Sequence, residues 1–152
     1  MLNPDHIFAN NVLQLLPFFE NLAVGVFGLF TILWVNLYFL RRIAVYYEIN
    51  ARIHIGHGRY NRVFLTYLVS ITFLMLVQVL SILCWSGLIL VLGLADHPFN
   101  AMLFVGSCYT TIGIVSDVMP SAWKLQAIFI SLSGLFAIAL STASMLNMSP
   151  LF

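Results

Sequence analysis

The residues with the most chemical content are Ser107, Cys108, Tyr109, Thr110, Thr111, Ile112 and Gly113, followed by Asp117 and Pro120. An ion crossing a bilayer needs its hydration shell replaced by oxygens. Backbone carbonyls and a Thr hydroxyl supply them when several copies converge on one axis. Gly113 frees the backbone to take torsions that aim carbonyls inward. Elsewhere, His54 and His57 stand three apart, a spacing that can hold a metal or sense pH. No further Cys, His or acidic ligand accompanies them, so a solvated or headgroup-facing loop is the simpler reading. Asp5, Glu20, Glu48, Asp96 and Asp117 are scattered and form no nucleophile-base pair, so no enzyme and no cofactor are expected. Cys84 and Cys108 sit in apolar stretches and read as small buried hydrophobes.

Those residues must be positioned by elements that suit lipid. Of 152 residues, 62% are apolar and 7% are charged, against about 25% charged in a soluble domain. Such a surface cannot be covered in water, so the expected solvent is the membrane. The net charge of +1 gives no nucleic-acid footprint. The length allows one domain and no appended soluble one. The N-terminus lacks a basic n-region, so no cleaved signal peptide is expected.

Uncharged runs set the expected spans. Residues 1–20 form an N-terminal interfacial segment with helix-like apolar spacing. Residues 21–40 are long enough for a first transmembrane helix, closed by Arg41 and Arg42. Residues 41–62 read as a basic loop, with Arg41, Arg42, Arg52, Arg59 and Arg62 against Glu48. The positive-inside rule puts this loop and the C-terminus in the cytoplasm and the N-terminus outside. Anionic lipid is the expected partner of its arginines. Residues 63–95 suit one long tilted helix. Residues 98–109 give a short helix of about 16 Å, with Pro98 at its first position and His97 or Asp96 as cap. That is too short to cross, and the β-branched run after it disfavours a helical continuation. A re-entrant loop is expected, buried in protein or lining a water-filled cavity. Residues 123–148 form the last span.

The run Thr110-Thr111-Ile112-Gly113 with Asp117 and Pro120 resembles the pore loop of the potassium-channel family, Thr-Thr-Val-Gly-Tyr-Gly-Asp-x-x-Pro. The similarity covers 63–148 as outer helix 63–95, pore helix 98–109, filter 110–117 and inner helix 123–148. It implies an all-α membrane protein with three transmembrane helices, a re-entrant pore helix and filter loop, and a homotetramer. It also implies a filter of Thr110, Thr111, Ile112, Gly113, Ile114 and Val115, and an outer mouth of Ser116 and Asp117. The permeant species would be a monovalent cation, K+ or Na+. Ile114-Val115-Ser116 stands where the family has Tyr-Gly, which leaves the choice of ion open. A non-conducting accessory subunit with a channel-like fold is the alternative.

Along the last span Ser131, Gly134, Ala137, Ser141 and Ser144 share a face. It can pack closely against a helix or line a pore. Gly134 and Ser141 are accordingly the candidates for a hinge or pore lining. No span carries regularly spaced Arg, so no voltage sensor of the usual kind is expected. Gln78, Asn36 and Thr31 read as interhelical hydrogen-bonding residues, and Trp123 as an interfacial anchor. The small size suggests a bacterial inner (plasma) membrane.

Overall fold

The computed structural model describes residues 4–57, 60–113 and 123–148, with side chains described from residue 18 in the first stretch and residue 61 in the second. Among these residues all regular structure is helical: α1 Pro4–Gly56, α2 Tyr60–Val91, α3 Pro98–Tyr109 and α4 Gln126–Met148. Three stretches are long and apolar enough to cross a membrane, namely Phe18–Gly56 of α1, Asn61–Val91 of α2 and Gln126–Met148. Their outer faces are apolar, as lipid requires: Phe27 and Trp34 are each 74% exposed. Those features are compatible with an integral membrane protein.

α1 corrects the expected organisation. Its 53 residues run unbroken from the N-terminal segment past Arg41 and Arg42 into the stretch read as a basic loop. A stripe of inward residues explains this. Asn21, Gly25, Gly28, Ile32, Asn36, Leu40, Ile43, Tyr47 and Ala51 are buried at steps of three or four, the period of one helix face. Arg41 and Arg42 lie beside that stripe, exposed, and Arg42 rests over the Tyr38 ring at 5.6 Å. Charges on the outer face do not end a helix whose inner face stays buried. At about 1.5 Å per residue α1 is about 80 Å long, well beyond one hydrocarbon core. Arg52 pairs with Glu48 at 2.7 Å on its exposed side. The His57 ring lies 2.7 Å from the Ile53 carbonyl at the helix end.

α1 packs along α2 and α4, while α3 is wedged between α2 and α4. Two apolar clusters result. One joins Ile32, Trp85, Ile89, Leu94, Phe104, Tyr109 and Ile130 around α3. The other joins Leu40, Tyr47, Val63, Leu74 and Met148 at the opposite end. Buried serines of α2 cost little, because Ser70, Ser81 and Ser86 each donate to the carbonyl one turn earlier. Asn36 crosses from α1 to Ser81 at 2.8 Å. Gln126 crosses from α4 to the Asn21 carbonyl at 2.9 Å. Thr31 does not reach across: its hydroxyl donates to Phe27 of its own helix at 2.8 Å.

Candidate functional site

α2 and α3 end in the same kind of turn, and the comparison between them defines the site. At the end of α2, Gly93 N–H donates to Leu90 and Leu94 N–H donates to Ile89, at 3.0 and 3.1 Å. Gly93 has φ +65. Leu94 and Ile89 meet in the same apolar cluster. This is a Schellman cap, with a left-handed residue just past the helix and an apolar contact across it.

α3 starts as its sequence dictates. Pro98 occupies the first turn, and His97 is the extended N-cap residue, though its side chain makes no capping bond. Ala101, Phe104, Val105, Cys108 and Tyr109 form the buried stripe. At the end, Thr111 N–H donates to Cys108 and Ile112 N–H to Ser107, at 3.0 and 2.9 Å. These are the same two bonds as in the α2 cap. The left-handed residue is now Thr111, with φ 60, where α2 has glycine. Among the described residues no other non-glycine residue has positive φ. A β-branched residue in that region is disfavoured by about 1–2 kcal/mol. Gly113 follows, also left-handed at φ +67.

The hydroxyl groups are held in place. Thr110 Oγ1 donates to Gly106 at 2.7 Å, and Thr111 Oγ1 donates to the Thr110 carbonyl at 2.7 Å. Each hydroxyl proton is thereby fixed on a carbonyl and the oxygen lone pairs are left to accept. Thr110, Thr111, Ile112 and Gly113 are all exposed. Thr111 and Gly113 border a groove of about 390 Å³ on the α4 side, shared with Ser131, Leu132 and Leu135. Thr110 and Ile112 border one of about 410 Å³ on the α2 side, shared with Phe99 and Ile82. The turn is a polar seam between two apolar grooves.

Behind the turn the anchorage is dense. Ser131 of α4 donates to the Cys108 carbonyl at 2.8 Å. Tyr109 Oη donates to Gln78 Oε1 of α2 at 2.6 Å. Gln78 Nε2 donates to Ser141 Oγ at 2.6 Å and to the Ala137 carbonyl at 3.3 Å. Gly134 admits Tyr109: a Cβ at 134 would fall on the Tyr109 carbonyl oxygen and 2.9 Å from its carbon.

The structure thus brings together Thr110, Thr111, Ile112 and Gly113 of the sequence-derived set. Ile114, Val115, Ser116, Asp117 and Pro120 lie outside the described residues. Gly134 lies in an unbroken helix and serves a close approach. Ser141 is buried and bonded to Gln78 inside the chain. Gly134, Ala137 and Ser141 of the small-residue face of α4 are therefore buried against the chain's own α2 and α3, while Ser131 and Ser144 are half-buried. Sequence reasoning placed Tyr109 in the informative run but gave it no role of its own. Gln78 was legible as an interhelical donor but not as the link to Tyr109. Among the described residues no group of three or more His, Cys, Asp or Glu can hold a metal ion.

Against known proteins, the chain matches no family model, no curated protein and no solved structure.

Proposed function

We propose that the chain is a subunit of a homotetrameric channel for monovalent cations, K+ or Na+. In this reading four copies surround an axis lined by the Thr110–Gly113 turn, and α3 enters the bilayer without crossing it. The Thr111 hydroxyl and nearby backbone carbonyls replace water around the ion. The C-terminal end of α3, the negative end of its dipole, faces the ion and favours a positive charge. The N-terminus is outside and the C-terminus cytoplasmic. The resemblance assigns Ile114 and Val115 to the ion path and Ser116 and Asp117 to its outer mouth.

One observation carries the reading. The chain closes α2 with glycine in the left-handed cap position and closes α3 with threonine in the same position. Glycine is the better residue for such a cap alone. A strained residue held at an exposed polar turn is a mark of function. Another observation favours a non-conducting accessory subunit instead: the Thr110 hydroxyl and the turn's amides are engaged with α3's own carbonyls, and the Thr111 hydroxyl with the Thr110 carbonyl, as a simple helix stop requires.

Thr111→Gly separates the two. Relief of the left-handed strain is expected to raise stability by about 1 kcal/mol in detergent unfolding. In liposomes under separate potassium and sodium gradients, wild type is expected to pass cations and Thr111→Gly to pass far fewer. A more stable variant with undiminished flux removes Thr111 from the ion path. No wild-type flux from a folded tetramer selects the accessory reading.

A further inference from the structure

Gln78 lies in the middle of α2, in an uncharged apolar run, and ties three helices together. Its amide accepts from Tyr109 of α3 and donates to Ser141 and Ala137 of α4. The orientation is fixed by chemistry. The Ala137 carbonyl can only accept, so the amide nitrogen must face α4 and the amide oxygen must face Tyr109, whose hydroxyl then donates. A carboxamide presents a donor at one end and an acceptor at the other, so an apolar residue of similar size cannot replace it. At this depth water is not at hand to take over a lost bond.

Tyr109 is the last residue of α3, and the turn begins at the next peptide. The residue is 1% exposed and its carbonyl is seated against Gly134. A displaced ring moves the backbone of Thr110 and Thr111 directly. We infer that Gln78 is a positioning residue: through Tyr109 it sets the place of the Thr110–Gly113 turn, and through Ser141 it makes that place depend on α4. The consequence for ion passage rests on the reading above; the positioning itself does not.

The control is Leu40 of α1, buried in the apolar cluster at the opposite end of the molecule from Tyr109. Gln78→Leu, Tyr109→Phe and Leu40→Ala are compared with wild type as full chains in detergent micelles and in liposomes. Tyr109→Phe keeps Gln78's bonds to α4, so it stays informative where Gln78→Leu fails to fold. Amide hydrogen exchange at residues 110–113 is expected to rise about fivefold in Gln78→Leu and Tyr109→Phe, the loss of one net hydrogen bond. It is expected to stay at the wild-type level in Leu40→Ala, although that variant melts earlier. Unchanged exchange in Tyr109→Phe, or an equal rise in Leu40→Ala, overturns the inference. Where wild type conducts, the potassium-to-sodium flux ratio is expected to move in Gln78→Leu and Tyr109→Phe and to hold in Leu40→Ala. A fixed ratio despite faster exchange overturns the link to ion passage. Where wild type conducts nothing, the channel reading falls and the exchange data alone decide the positioning.

Discussion

Gly134→Val is expected to destabilise the protein by about 3 kcal/mol, at the upper end of overpacking effects. The obstacle is backbone. A Cβ at 134 meets the Tyr109 carbonyl oxygen, with the carbonyl carbon at 2.9 Å and Cγ of the ring at 3.0 Å. Tyr109 cannot retreat, because Ser131 holds the Cys108 carbonyl next to it and Gln78 holds its hydroxyl. The whole end of α3 would have to move away from α4. Gly25→Ala is the companion. There the new Cβ meets the Phe129 ring, with Cγ at 2.8 Å, so the partly exposed side chain must swing aside as a whole while no backbone stands in the way. Its expected loss is about 1 kcal/mol, the low end of the same range. Unfolding by circular dichroism in detergent checks both. A Gly134→Val variant as stable as wild type would show that α4 does not meet α3 at this point.

Trp85→Ala is expected to lose about 3–5 kcal/mol, the range for removing a buried large aromatic. Trp85 is 1% exposed and sits where α1, α2 and α4 meet. Its Nε1 donates to Ser133 of α4 at 2.9 Å. On the other side its ring lies against Gly28 of α1, where a Cβ would stand 2.6 Å from Cη2. One side chain therefore fills the space that α1 and α4 both need. Trp85→Phe isolates the polar part. It keeps most of the volume and loses the bond, so about 1 kcal/mol is expected, in line with interhelical bonds measured in membranes. Ser133→Ala combined with Trp85→Phe is expected to add little beyond either change alone. Full additivity in that cycle would mean that the two groups are not bonded. A Trp85→Ala variant within 1 kcal/mol of wild type would place the indole at the surface.

Much of the fold was legible because it depends on short stretches of chain. The short helix was expected at 98–109 and α3 is Pro98–Tyr109. The spans after it and before it were expected at 123–148 and 63–95, and the helices are Gln126–Met148 and Tyr60–Val91. Length and hydropathy of a run decide these limits, with Pro98 and Gly93 as local stops. The first helix was misjudged for an equally physical reason. A count of uncharged residues stops at Arg41, whereas a helix stops when its buried stripe stops, and that stripe reaches Ala51. The four residues of the turn were legible as a polar break. That Thr111 takes the left-handed torsion was not, since Gly113, two residues on, is the residue that composition would choose.

The sequence by itself determined the apolar surface, the helical class and the place of the polar turn. Each follows from composition or from a periodicity that neighbours along the chain enforce. Tertiary structure alone decided what stands behind the turn. Tyr109 and Gln78 are 31 residues apart, and Gln78 and Ser141 are 63 apart. Whether such groups meet depends on how each helix is rotated about its axis and how deep it sits. Those are set by the fit of Gly134 to Tyr109 and of Gly28 to Trp85. No local rule fixes a rotation, because every face of an apolar helix is acceptable to lipid. Only the close approach of small residues and the pairing of buried polar groups choose one face over another.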